Sequence, residues 1–77
     1  MGKVSYSLTS GAQAQYKKLS SGDKKTVDGM ISKITSNTRI GAAVKGSDQR
    51  TYTQGRISID YTALAKGTHI LVIRVNA

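Results

Sequence analysis

The stretch "RISIDYTALAKGTHILVIRV", from Arg56 to Val75, decides the fold because it contains two strands and the short connection between them. In its first half Ile57, Ile59 and Tyr61 alternate with polar residues, which predicts a half-buried strand. The second half is nearly all apolar after Gly67, so we expect both of its faces to be covered. A short, glycine-containing connection between two such segments predicts an antiparallel pair.

Further strands are predicted on the N-terminal side of this pair. The segment "RTYTQ", Arg50 to Gln54, precedes it and is separated from it by Gly55. Three strand-like segments joined by short connections predict an antiparallel meander. The segment "TRIGAAVKGSDQ", Thr38 to Gln49, fits neither a helix nor a strand pattern and is interpreted as a connector. At the start of the chain, "KVSYSLT", Lys3 to Thr9, alternates as a half-buried strand does.

Two amphipathic helices are predicted between the first strand and the connector. The segment "SGAQAQYKKLS" has apolar residues at helical spacing, and so has "DKKTVDGMISKITSN". Their apolar positions are Ala12, Tyr16 and Leu19 in the first helix, and Val27, Met30, Ile31 and Ile34 in the second. We expect Ser20 or Ser21 to cap the second helix, and Gly29 to let the two helices pack closely. The tight connection between the helices predicts an antiparallel hairpin.

These elements together predict an α+β fold with the order β-α-α-β-β-β. The helical hairpin is expected to pack on one face of an antiparallel sheet. With 77 residues the chain is expected to form one domain, residues 1–77, with a small core. We expect the uncovered face of the sheet to bear cations and to meet a polyanion or an acidic partner.

Charge is the strongest global signal in the composition. Twelve Lys and Arg face four Asp and no Glu, which gives a formal net charge of +8. This density favours a nucleic acid or a ribonucleoprotein as partner, because neutralised phosphates release counterions. There is no cysteine, and one histidine with scattered aspartates does not match a zinc site, so neither a metal nor a cofactor is expected.

No segment of the sequence predicts a membrane association. No N-terminal run has the composition of a signal peptide, and no apolar stretch approaches the roughly 20 residues of a membrane span. We therefore expect a soluble cytoplasmic protein.

Five phrases, in this order and at this spacing, make the chain resemble the RelE/ParE superfamily of bacterial toxin–antitoxin toxins. They are "YSLTSGAQAQYKKL" (Tyr6 to Leu19), "SNTRIG" (Ser36 to Gly41), "VKGSD" (Val44 to Asp48), the strand pair Thr51 to Tyr61, and "LVIRVNA" (Leu71 to Ala77). The resemblance implies a RelE-like fold and a ribosome-dependent mRNA endoribonuclease that inhibits translation. It also implies a cognate antitoxin that neutralises the toxin.

The sequence departs from the family pattern in the strand pair. Frequent basic positions of the family fall on Thr51, Thr53 and Ser58, while Arg50 and Arg56 are offset from those positions by one residue. A one-residue offset in a strand turns a side chain to the other face. Either a bulge shifts the register, or these arginines point away from the expected site.

The end of the sequence also departs from the family pattern. The family often continues past the last strand with "GHR" and a terminal tyrosine, where this sequence reads Asn76-Ala77. A general acid and a general base are therefore missing at two expected places.

Metal-independent RNA cleavage needs a base for the ribose 2′-OH, cations for the transition state and an acid for the leaving oxygen. The candidate catalytic residues are Lys45, Arg56, His69 and Arg74. The candidate nucleic-acid-binding residues are Lys17, Lys18, Lys33, Lys45, Arg50 and Arg56. The only histidine is suited to acid–base work near neutral pH, and the plainer interpretation is an ordinary exposed residue at a strand end. The plainer interpretation of the helical lysines is a solvated face, and that of Tyr61 is a core residue with its hydroxyl at the rim.

Two other functions stay open at this point. The first is a catalytically weak or inactive binding module on the same fold, including a ParE-like inhibitor of DNA gyrase, and the departures favour it. The second is a plain basic RNA- or DNA-binding domain unrelated to toxins.

Overall fold

The computed structural model describes residues 4–77. Its elements are β1 (Ser5–Leu8), α1 (Ser10–Lys17), α2 (Ser21–Ser36), β2 (Ala42–Ala43), β3 (Gln49–Gln54), β4 (Ile57–Leu64), a 3-10 turn (Ala65–Gly67) and β5 (His69–Asn76). The strands form one five-stranded sheet in the order β1-β5-β4-β3-β2. The predicted α+β architecture and the antiparallel meander of β3, β4 and β5 are confirmed.

The structure adds two features of the sheet that the sequence did not predict. The first strand joins parallel to the last one, with Ser5 opposite His69 and Leu8 opposite Val72, so the sheet is mostly rather than wholly antiparallel. A short strand, Ala42–Ala43, lies within the predicted connector and pairs with β3 at the sheet edge. β5 therefore has a neighbour on each side, as expected for an interior strand.

The core lies between the helices and one face of the sheet, with α1 against β5 and α2 against β4 and β3. The predicted apolar positions of the second helix, Val27, Met30, Ile31 and Ile34, are all buried. On the sheet side they meet the alternating residues of β4, which are also buried. No helix in the described part of the chain is long and apolar enough to cross a membrane.

Side-chain caps start both helices. The Ser20 hydroxyl accepts a hydrogen bond from the Asp23 amide at 3.3 Å, as predicted, and Thr9 caps α1 in the same way through the Ala12 amide at 3.1 Å. Such caps satisfy amide groups that the helix itself leaves without partners.

The expectation that Gly29 allows close helix packing is wrong. Gly29 is exposed, and a Cβ atom at this position would meet no atom within 4 Å. The helices are joined instead by Tyr16, whose hydroxyl donates to Asp28 at 2.9 Å. The hydrogen bond to the Asp28 carboxylate, aided by partial desolvation, raises the pKa of Tyr16 above its ordinary value of 10.0.

The last strand is covered on one face only, contrary to expectation. Ile70, Val72 and Val75 are buried, whereas Leu71 and Ile73 are partly exposed on the face without helices. The spacing of the buried residues changes after Val72 because the register between β4 and β5 shifts at a β-bulge. Because this part of the strand is entirely apolar, the sequence shows no alternation of apolar and polar residues from which the bulge could be predicted.

Candidate nucleic-acid interface

The open face of the sheet, which no helix covers, contains a short polar row. Thr51 on β3 is opposite Asp60 on β4, and Asp60 is opposite Arg74 on β5. The Thr51 hydroxyl donates to the Asp60 carboxylate at 2.7 Å. Arg74 is exposed, and among the strand residues in the range 4–77 it is the one cation on this face. The open face therefore offers one guanidinium with a carboxylate beside it.

His69 lies on the same face, at the start of β5. Its ring nitrogens contact two hydroxyls from β1: Ser5 Oγ lies 2.7 Å from Nδ1, and Ser7 Oγ lies 2.9 Å from Nε2. In a neutral imidazole one nitrogen donates and the other accepts, so one serine accepts a hydrogen bond and the other donates one. The two hydroxyls hold the ring in place. Five residues of strand, roughly 15 Å, separate His69 from Arg74, so the two side chains do not converge on one atom.

Arg50 points away from the open face, which is the second of the two alternatives that its register offset left open. It is opposite Tyr61, which is fully buried on the helix-covered face. Its Nη1 donates to the Gly41 carbonyl oxygen at 2.8 Å. This arginine supports the chain segment that leads to β2.

Arg56 also lies on the helix side of the molecule. It is the second residue of the two-residue turn between β3 and β4, and Gly55 before it has a φ of 62°. A positive φ at the first turn residue alone is the pattern of a type II′ hairpin. Its Nη2 donates to both carboxylate oxygens of Asp23, at 2.9 Å each, near the start of α2. The side chain of Asp23 is 21% exposed, and that of Arg56 is 74% exposed.

Lys45 is exposed in the turn between β2 and β3. The segment before this turn is anchored by Tyr61, whose hydroxyl donates to the Thr38 carbonyl oxygen at 2.9 Å and accepts from the Gly41 amide at 3.0 Å. Tyr61 is therefore a core residue with a bonded hydroxyl, which agrees with the plainer interpretation. A Cβ atom on Gly41 would lie 2.9 Å from that hydroxyl and 3.0 Å from the backbone of Thr51.

Most of the predicted nucleic-acid-binding cations belong to the helical layer and the turns. Lys17, Lys18 and Lys33 are exposed on the helices, while Lys24 lies over the Tyr16 ring at 5.8 Å. Among the candidate cations of the described strands, Arg74 alone lies on the open face, so this face bears one arginine rather than a cluster of cations. The four candidate catalytic residues do not form one cluster: two lie on the open face, one at the edge turn and one beside α2.

Sequence reasoning missed a cavity of about 290 Å³ between the β3–β4 turn and the start of α2. It is lined by Asp23, Thr26, Gln54, Gly55, Arg56 and Ile57. No local pattern predicts it, because its two sides are joined by contacts between residues far apart in sequence. Within residues 4–77, no group of three His, Asp or Glu side chains is placed to hold a metal ion.

The fold is that of RelE toxins. The chain aligns with a chain of the intact E. coli RelBE toxin–antitoxin complex at a TM-score of 0.82 and 16% identity, covering 97% of this chain and 95% of the other. The RelBE2 toxin–antitoxin complex from Mycobacterium tuberculosis gives a TM-score of 0.83 and 15% identity, with 96% of both chains covered. The isolated E. coli RelE toxin gives 0.82 and 16%, covering 97% of this chain and 83% of the other. No protein-family model and no curated sequence matches the chain.

Proposed function

We propose that this chain is the toxin component of a type II toxin–antitoxin system, which inhibits translation and is neutralised by a cognate antitoxin. The observation that carries the proposal is the RelE fold, which extends over 97% of the chain at a TM-score of 0.82. The net charge of +8 supports a polyanionic target and an acidic partner. A partner of opposite charge would associate rapidly and specifically with such a basic domain.

The finer proposal is cleavage of mRNA at the ribosome, as in RelE-type toxins. Arg74 is the best-placed cation for the transition state, since it is exposed on the open face. His69 is the acid–base candidate, held by two serine hydroxyls. Lys45 and Arg56 stay predicted catalytic residues, and both could contact RNA from the turns that carry them.

A second candidate is a toxin that binds its target without efficient cleavage. One observation favours it: Thr51 and Ser58 occupy open-face positions where basic residues are expected, and Arg74 has a carboxylate as neighbour. A ribosome blocked by binding alone would still stop translation. In the ParE-like version of this candidate the target is DNA gyrase.

Induced expression without a partner separates these functions. We expect growth to stop and methionine incorporation to fall before thymidine incorporation does. Primer extension on abundant mRNAs then distinguishes cleavage within codons from blocked translation of intact mRNA. Early loss of thymidine incorporation alone would identify the gyrase function, and unchanged growth would refute the toxin proposal in that host.

Matched variants test the site. Arg74→Gln and Lys45→Gln should each reduce toxicity at least tenfold in plating efficiency, because each removes a cation proposed to contact RNA. Lys66→Gln, in the turn between β4 and β5, removes the same charge from a residue with no proposed role. Equal effects of all three variants would show that net charge, rather than a site, determines the toxicity.

A further inference from the structure

We propose that the cavity between the β3–β4 turn and the start of α2 binds a single unpaired guanine base of RNA. The inference rests on the proposed function for the source of the RNA, which would be ribosomal RNA or mRNA. The cavity lies on the helix side of the molecule, so this site is separate from the open face of the sheet. Its volume of about 290 Å³ is at the lower end of the range for small-molecule sites.

The cavity is open to solvent, and its lining is mostly polar with a small apolar area at its base. Ile57, which is 3% exposed, lies at its base, and Gly55 beside it adds backbone without a side chain. Asp23 and Thr26 come from α2, and Gln54 comes from β3. Single-stranded RNA is read in this way, by bases that leave the stack and bind in a pocket through their edges.

The polar groups match the edge of guanine. Asp23 offers a carboxylate that only accepts hydrogen bonds, and guanine presents two neighbouring donors, N1–H and N2–H₂. The carboxylate bonds to Arg56 through one guanidinium nitrogen only, Nη2. The other nitrogens of Arg56 remain to donate to guanine O6 and N7. Adenine lacks two adjacent donors and therefore fits this wall less well.

The same carboxylate argues against a phosphate in the cavity. Asp23 is partly buried, and a phosphate placed against it would meet a like charge. The phosphates on either side of a bound base have other partners nearby. Lys33 Nζ donates to Gln54 Oε1 at 3.2 Å, which places an ammonium group beside the cavity, and Lys25 is exposed on the first turns of α2.

The guanidinium of Arg56 also has the exposure needed to reach the edge of a base. Its side chain is 74% exposed, although it is fixed at one end by the ion pair with Asp23. A guanidinium held in this way presents its remaining N–H groups in a fixed direction, in the plane in which guanine O6 and N7 would accept them. The ion pair would then orient the two groups that recognise the edge of the base.

The test is a titration of the purified ¹⁵N-labelled chain with GMP, AMP and inorganic phosphate, followed by amide chemical shifts. We expect GMP to shift the amides of Thr26, Gly55 and Arg56, and to bind about tenfold more tightly than AMP, which is the discrimination expected of one bidentate pair. Phosphate should leave these amides unchanged. Equal shifts with phosphate would show an anion site, and equal affinity for AMP would show no base selectivity; either result overturns the inference.

Variants separate the site from general charge effects. Asp23→Asn should abolish the preference for GMP over AMP, and Arg56→Gln should weaken GMP binding at least tenfold. Lys66→Gln makes the same charge change as Arg56→Gln at the opposite end of β4 and should bind GMP as the unmodified chain does. Circular dichroism confirms that each variant is folded. Unchanged GMP binding by folded Arg56→Gln would overturn the inference.

The binding assay contains no ribosome, so the inference and the proposed function can fail separately. A chain that inhibits translation without binding GMP would retain the proposed function and lose the guanine site. A chain that binds GMP selectively and leaves translation unaffected would retain the site and lose the toxin function.

Discussion

The substitution Tyr61→Phe tests how the sheet holds the segment that carries Lys45. The ring of Tyr61 is fully buried, and its hydroxyl joins two backbone groups that are far from it in sequence, Thr38 and Gly41. Phenylalanine keeps the ring and removes only the oxygen. The change therefore isolates these two hydrogen bonds from the packing of the core.

The size of the effect follows from the groups left without a partner. An unsatisfied buried backbone group costs about 1–3 kcal/mol, and the partly exposed Thr38 carbonyl can recover a bond to water, so we expect a loss of about 2 kcal/mol. A chain of 77 residues has a free energy of unfolding of about 4–12 kcal/mol in total, so the variant should still fold. The expected fall in Tm is about 8–16 °C.

Urea unfolding followed by circular dichroism measures the loss, and hydrogen exchange at the Gly41 amide locates it. The matched control is Tyr52→Phe, because the Tyr52 hydroxyl makes a single long contact, 3.5 Å from Gln54 Oε1, at an exposed site. That control should change the free energy of unfolding by less than about 0.5 kcal/mol. If Tyr61→Phe also changes the free energy of unfolding by less than about 0.5 kcal/mol, or if hydrogen exchange at the Gly41 amide is unchanged, the hydroxyl does not anchor this segment.

Two further substitutions test backbone positions. Gly29→Ala should raise the free energy of unfolding by about 0.5–1 kcal/mol in urea titrations, because Gly29 is an exposed helix position with open space for a methyl group; a loss of stability would mean that the two helices do need a glycine there. Gly41→Ala should lower it by about 1–3 kcal/mol, because the new Cβ would approach the Tyr61 hydroxyl and the Thr51 backbone at 2.9 and 3.0 Å; thermal unfolding equal to that of the parent chain would contradict the close approach.

The parts of the fold that could be predicted are those with a local periodicity. The spacing of Val27, Met30, Ile31 and Ile34 defines one face of a helix whatever lies against it, and these residues are buried as expected. The same holds for the alternation in β4. The one-residue offset of Arg50 left two alternatives, a bulge or a side chain on the covered face, and the structure has the second.

The parts that could not be predicted depend on contacts between distant segments. Nothing near Ser5 indicates that β1 pairs parallel with His69, 64 residues later. The bulge in β5 lies in a run of apolar residues. In such a run the sequence does not show which residues face the core, so a change of face cannot be predicted. The ion pair of Arg56 with Asp23 joins residues 33 positions apart in sequence. It holds this candidate catalytic arginine on the helix side of the molecule. Locating a site requires those long-range contacts, which local patterns do not contain.

The most direct test of the proposed toxin function is peptide synthesis in a purified translation system supplied with this chain. We predict that one equivalent of the chain per ribosome stops synthesis, that Arg74→Gln is at least tenfold less effective, and that Lys66→Gln is as effective as the parent. Unchanged peptide synthesis at a tenfold excess of folded protein over ribosomes would contradict the proposal that this RelE-like fold acts on translation.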